Sequence, residues 1–193
     1  FCCVPPGPFR MDDENRPNDT LNREGYWISR FPVTVAQFRR FAKASADQLT
    51  SKWVESIAEA GAPFNLDNHP VVRVTWHEAL AFCQWLTERW RQRLPEGYSI
   101  MLPSETQWEK AARGGLQLPK PTPPRALRDG LSLPTDGTWE KNPAPDRRYP
   151  WLGDFDSNKV NARETGIGTT SAVGCFRSAR SPYDVEELSG NVW

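Results

Sequence analysis

Apolar residues recur at helical spacing in four stretches of this chain, and each stretch carries its own start and stop signals. Val35, Phe38, Phe41 and Ala42 form one apolar face behind Thr34-Val35-Ala36-Gln37. That is a capping box, in which the Thr hydroxyl and the Gln amide satisfy the orphan N–H groups of a first turn. Leu49, Trp53 and Ile57 step through a second helix over about residues 46–60, ended by Gly61 and Pro63. Thr75-Trp76-His77-Glu78 opens the longest helix, to about Arg93, with Ala79, Cys83, Leu86 and Trp90 as its buried stripe and Glu88, Arg89, Arg91 and Arg93 facing out. Ser104-Glu105-Thr106-Gln107 opens a fourth, carrying Trp108, Ala111 and Ala112 and closed by Gly114-Gly115. Short aromatic and β-branched runs predict strands at Val4–Phe9, Tyr26–Val33, Pro70–Val74 and Ser99–Pro103.

Between these elements the chain is polar and irregular. Residues 10–25 read as loop. Residues 116–148 hold seven of the 18 prolines and predict a long surface insertion. From Tyr149-Pro150-Trp151 onward, Gly, Thr, Asn and Ser dominate, which supplies many backbone and side-chain oxygens. The chain stops on Leu188-Ser189-Gly190-Asn191-Val192-Trp193, a turn signal followed by a large aromatic, and reads as interrupted on entry to its next element.

Composition narrows the function classes. Lys plus Arg and Asp plus Glu number 24 each, so no net charge favours nucleic acid or an anionic membrane. No apolar run reaches the ~20 residues of a membrane span. Nine Trp suggest an aromatic core, with Trp76, Trp90 and Trp108 on helix faces expected inside and Trp139 expected at the surface. Cys2, Cys3, Cys83 and Cys175 have no metal-type spacing. Cys83 reads as a small buried hydrophobe, and this cysteine usage favours the reducing cytosol. His69 and His77 lack zinc spacing and a neighbouring nucleophile, so structural or surface roles are expected. The acidic groups Asp12-Asp13-Glu14 and Asp184 with Glu186-Glu187 have no spacing that defines an acid/base pair.

Six segments occur in an order that resembles one known family: Tyr26-Trp27-Ile28-Ser29-Arg30-Phe31-Pro32-Val33-Thr34 with Gln37-Phe38; His69-Pro70-Val71-Val72 with Val74-Thr75-Trp76, Ala79 and Ala81-Phe82-Cys83; Leu102-Pro103-Ser104-Glu105 with Trp108-Glu109 and Ala111-Ala112-Arg113-Gly114; Tyr149-Pro150-Trp151; Asn161 with Gly166; and Ser189-Gly190-Asn191-Val192-Trp193. Together they look like the formylglycine-generating enzyme, or sulfatase-modifying factor, family. The resemblance implies an α+β, C-type-lectin-like fold, loop-rich, with few helices around a small mixed sheet. Residues 1–193 would be a single domain lacking its C-terminal part, with 116–148 as the insertion.

Members of that family include copper-dependent oxidases that make formylglycine, iron-dependent oxidases, and non-catalytic ligand-binding proteins, some diversified by retroelements. The family's copper-binding cysteine pair lies beyond the Gly-Asn-Val-Trp motif, and none of the four cysteines here matches it. The resemblance therefore implies a non-catalytic ligand- or protein-binding domain of a larger bacterial protein. A copper oxidase whose cysteine segment lies elsewhere, and a structural module, are the alternatives. Calcium is the implied ion. One site would use Asn161, the carbonyl of Ala162, Glu164 or Thr165, and the carbonyl of Ile167. A second would use Glu187 and the carbonyls of Gly190 and Val192. The implied partner is a protein or peptide, or the domain's own C-terminal segment as a separate chain.

Overall fold

The three capping boxes form, and each sets the start of a helix. A computed structural model describes residues 1–11, 24–45, 48–120, 123–131 and 138–192, with the side chains of residues 48 and 49 outside that description. Thr34 receives the N–H of Gln37 at 3.3 Å and gives its own N–H to the Gln37 amide oxygen at 2.9 Å, which opens α1 (Val35–Ser45). α2 spans Gln48–Ala60. Thr75 with Glu78 caps α3 (Trp76–Arg89), and Ser104 with Gln107 caps α4 (Glu105–Arg113), which ends at Gly114.

α1, α2 and α3 enclose an aromatic core. Phe38 packs edge-on against Trp53 with ring centroids 4.8 Å apart and stacks on Phe82 at 5.4 Å. Val35, Phe41, Ala42 and Ile57 complete it, as the helical periodicity predicts. The Trp53 indole donates to the Val72 carbonyl at 3.1 Å, so the core also fixes the chain entering α3.

β1 (Cys2–Val4) and β2 (Tyr26–Ile28) form one antiparallel pair, with Cys3 opposite Trp27. β3 (Gln117–Pro119) and β4 (Trp139–Lys141) form another. The described residues thus hold two small antiparallel sheets rather than one mixed sheet. The predicted insertion is less irregular than its prolines suggest. It carries the β3–β4 pair, and Asn142 at its far end is 1% exposed, donating to the Arg113 and Gly115 carbonyls.

Three sequence expectations are corrected. Pro70–Val74 is not a strand: only Pro70 makes a bridge, to Thr34, and Arg73 at φ +58° breaks the extended run. Ser99–Pro103 has no strand partner and is coil, held by the Ile100 N–H on the Thr87 hydroxyl at 2.8 Å. Trp76 and Trp108 are 63% and 44% exposed rather than core. Trp76 sits in the first turn of α3, and α4 buries Lys110, Ala111 and Ala112 instead of Trp108. The Lys110 ammonium is on the buried face because it donates to the Pro5 and Gly7 carbonyls at 2.6 and 2.8 Å. Trp139 is exposed, as expected. No described helix is long and apolar enough to cross a membrane.

Candidate functional site

Residues 160–192 are nearly all irregular backbone, so their polar groups need partners from side chains. Asn191 links several of them. Its side-chain oxygen accepts the Ser171 N–H at 2.8 Å while its amide nitrogen donates to the Ser171 carbonyl at 3.1 Å, the pairing a neighbouring strand would give. The same nitrogen donates to Glu187 Oε2 at 2.7 Å, and the same oxygen accepts from Asn161 Nδ2 at 3.2 Å. The Asn191 backbone N–H donates to the Asn161 carbonyl at 2.7 Å. Asn161 is 8% exposed and also donates to the Thr169 carbonyl and the Ser171 hydroxyl.

The Ser-Gly-Asn motif makes this geometry accessible. Gly190 has φ +73°, and a Cβ there would sit 2.4 Å from the Asn161 carbonyl oxygen. Only glycine permits that approach. Asn191 follows at φ +66°, a left-handed conformation that Asn tolerates better than most residues. Glu187, at φ +59°, turns its carboxylate back to accept the Gly174 N–H at 2.6 Å. Burial holds the Glu187 carboxyl above its ordinary range, against the opposing hydrogen bonds from Asn191 and Gly174; the neighbouring Glu186 charge adds to the rise.

Of the residues implied by resemblance, the fold brings Asn161, Glu187 and Gly190 into one cluster. Val192 is half-buried beside them. Ala162 and Thr165 close a local turn, with the Thr165 hydroxyl donating to the Ala162 carbonyl at 2.6 Å and accepting the Ala162 N–H at 2.7 Å. Glu164 and Ile167 are exposed. Asn191, the hub of the cluster, was not among the implied ligands; its one sequence signal was its place in the Ser-Gly-Asn turn. The other acidic residues nearby are structural. Asp184 pairs with Arg180 at 3.1 Å, and the buried Glu186 accepts twice from Arg30. Asp12, Asp13 and Glu14 lie outside the described residues.

A calcium ion takes roughly six to eight oxygens; Glu187 brings one half-buried carboxylate, whose two oxygens accept N–H groups of Gly174 and Asn191. No cation contributes to the Glu187 environment among the described residues, and no three His, Cys, Asp or Glu side chains gather there or elsewhere in them. The residues present do not fit a copper pair. All four cysteines are free thiols; Cys2, Cys3 and Cys83 are buried and Cys175 is exposed. Burial pushes the Cys2 and Cys3 thiols up to about 11, away from the thiolate that binds copper. As neighbours on a strand, these two also face opposite sides of it. His69 is a core histidine, its ring Nδ1 2.9 Å from the Thr170 hydroxyl and its pKa lowered by burial; His77 is exposed.

Next to the Asn161–Asn191 cluster lies an open cleft of about 2640 Å³. Tyr26, Trp27 and Ile28 of β2 form one wall, α3 and the coil after it another, and Gly190, Asn191 and Val192 reach its rim.

These features define a class: a loop-rich α+β domain whose residues 160–192 are tied together by side-chain hydrogen bonds, Asn161 and Asn191 among them, rather than by sheet. The chain belongs to the sulfatase-modifying factor enzyme 1-like domain family, whose model matches residues 1–193. It is similar to a formylglycine-generating enzyme of Streptomyces coelicolor, 28% identical over 98% of this chain and 66% of that protein. It is also similar to an inactive C-alpha-formylglycine-generating enzyme 2 of Bos taurus, 33% identical over 64% of this chain and 31% of that one. A hercynine oxygenase of Mycolicibacterium thermoresistibile is 26% identical over 96% of this chain and 38% of its own length. The chain therefore spans less than two thirds of the length of each of these relatives.

Proposed function

We propose that this chain is a non-catalytic, polypeptide-binding member of its family, built on a C-type-lectin-like scaffold as one domain over 1–193 with 116–148 as an insertion, within a larger bacterial protein. The observation that carries the reading is the cleft. At about 2640 Å³ it exceeds the ~300–1000 Å³ of ordinary small-molecule sites. The polar groups beside it are engaged in holding backbone, with no thiolate pair and no free nucleophile–base arrangement among the described residues. A sulfatase-motif peptide incubated with the protein, copper and O2 should keep its cysteine thiol; thiol loss with turnover would overturn the reading.

A second reading is supported by the similarity to named formylglycine-generating enzymes. In it the chain is part of a copper oxidase whose cysteine pair comes from other polypeptide. The same thiol assay decides between the two when repeated on the parent protein.

Calcium belongs to either reading. One ion would be held by Asn161, the Ala162 carbonyl, Glu164 or Thr165, and the Ile167 carbonyl, and another by Glu187 and the carbonyls of Gly190 and Val192. The second has the stronger support, because Glu187 and Gly190 lie in one cluster with Asn161, whereas Glu164 and Ile167 are exposed. Calcium titration calorimetry, with melting curves with and without chelator, tests both. Binding heat and a raised melting temperature are expected; neither appearing would remove calcium.

A further inference from the structure

The helical side of the fold and the asparagine-held segment meet at a buried histidine. Residues 65–70 belong to the helical side. Val35 and Ala36 of α1 donate their N–H groups to the His69 and Asp67 carbonyls at 2.9 and 3.1 Å, Thr34 bridges Pro70, and Arg39 pairs with Asp67. Residues 169–171 belong to the other side, through Asn161 on the Thr169 carbonyl and Asn191 on both backbone groups of Ser171. Among the described residues, two hydrogen bonds cross between these segments. The Val173 N–H donates to the Asn68 carbonyl at 2.9 Å. The His69 Nδ1 lies 2.9 Å from the hydroxyl of Thr170, 101 positions further along the chain.

The chemistry of this contact changes with one proton. His69 and Thr170 are 8% and 6% exposed. A neutral imidazole can give or take the hydrogen bond to the hydroxyl. A protonated one brings a full charge into the contact, and a buried charge is costly unless an opposite charge pairs with it. No such partner is present among the described residues: burial alone lowers the His69 pKa. The titratable groups on the elements around it are engaged or turned outward. Asp67 of its own loop is with Arg39 of α1, and Arg73 further along is with Ser56. On the other side Glu187 holds Gly174 and Asn191, and Glu186 is with Arg30. Arg40, Arg163 and Glu164 are exposed. The aromatic core of α1, α2 and α3 contains no ionisable side chain, so the charge acts at the contact rather than on the helices.

We propose that the His69–Thr170 contact is a proton-sensitive latch: protonation of the imidazole parts the asparagine-held segment from residues 65–70, while each side keeps its own internal bonds. Once the latch is open, His69 regains its ordinary pKa of 6.5, whereas in the closed contact it lies lower. The open form therefore binds a proton that the closed form does not. Closing weakens as pH falls below 6.5, by up to about tenfold per unit, and is at full strength above it.

The test is residue-resolved amide exchange by NMR, each rate referred to its intrinsic rate at the same pH. Val173, whose N–H crosses the contact, should lose severalfold and up to about tenfold in protection between about pH 7.5 and about pH 5.5. Ser171, held by Asn191, and Phe38, bonded to Thr34 in α1, should keep theirs. His69→Asn places a non-titrating amide near the Nδ1 position and should abolish the pH effect at Val173. Thr170→Val removes the hydroxyl and should lower Val173 protection about fivefold already at neutral pH. Unchanged Val173 protection in the parent at the lower pH would overturn the latch, and that measurement needs no variant to fold. Equal loss at Val173, Ser171 and Phe38 would show global unfolding and overturn it too. A pH effect that survives in His69→Asn would assign the response to Glu187 instead, and unchanged protection in Thr170→Val would show that the contact holds nothing.

Discussion

Asn191 and Asn161 are joined twice: the Asn191 N–H donates to the Asn161 carbonyl at 2.7 Å, and the Asn161 amide donates to the Asn191 side-chain oxygen at 3.2 Å. Through this pair, three segments separated by 10 to 30 residues act as one unit. The other bonds of Asn191 go to Ser171 and Glu187.

Asn191→Ala removes four side-chain hydrogen bonds and leaves part-buried partners unsatisfied. A loss of about 2–4 kcal/mol is expected, since each net bond contributes ~1 kcal/mol and each stranded partner costs more. Asn191→Gly suits the positive φ but loses the same bonds. Urea unfolding of both variants separates the two effects: if hydrogen bonding dominates, Gly rescues little.

Gly190→Ala should be at least as damaging. The added methyl meets the Asn161 carbonyl oxygen at 2.4 Å and Val160 Cγ2 at 2.6 Å. One contact is backbone, so the turn itself must move. A loss of about 3 kcal/mol or more follows from the combined overlap and strain, read as a lower unfolding midpoint. A melting temperature within a degree or two of the parent would show that the turn relaxes freely.

Phe82→Ala takes away the ring that stacks on Phe38 and meets Phe41 edge-on at 5.6 Å. Phe82 is 5% exposed, so a cavity is left in the helical core, at a cost of about 3–5 kcal/mol. Chemical denaturation measures it, and circular dichroism should show the helices retained below the new midpoint.

Lys110 makes stability depend on alkaline pH. Burial lowers its pKa from 10.5 to about 8. Between those values the unfolded chain binds the proton that the folded chain has released, so stability contributed here rises as pH increases from about 8 to 10.5. The buried Cys2 and Cys3 thiols work in the other direction above pH 9, because folding raises their pKa from 9.0 to about 11. The difference between the stability–pH curves of the parent and Lys110→Met isolates the lysine. That difference should grow in favour of the parent across pH 8 to 10.5, and a flat difference would refute the assignment.

The helices were legible because their signals are local. Thr34, Thr75 and Ser104 each find their capping partner three residues on, and the apolar face of α1 is buried residue for residue as its spacing implies. Strands were less legible because a strand exists only with a partner. Pro70–Val74 has the right residue types, yet it gains one bridge and then turns at Arg73. The stripe of α3 shifted as well. Glu78 and Thr87 are buried because the capping box and the Cys83 carbonyl satisfy them, while Leu86 and Trp90 line the cleft. Asn191 was visible as a turn residue but not as a hub, since its partners lie 4, 20 and 30 positions away and only folding brings them near.

The distribution of thiols turns this chain into its own reporter. Cys2, Cys3 and Cys83 are buried, and Cys175 alone is exposed, one residue beyond the Gly174 N–H that Glu187 holds. A maleimide dye should therefore attach at one position in the folded protein without any cysteine being removed. Its emission would follow the Glu187–Gly174 contact directly as calcium or peptide is added, and appearance of further labelled thiols would mark the moment the fold opens.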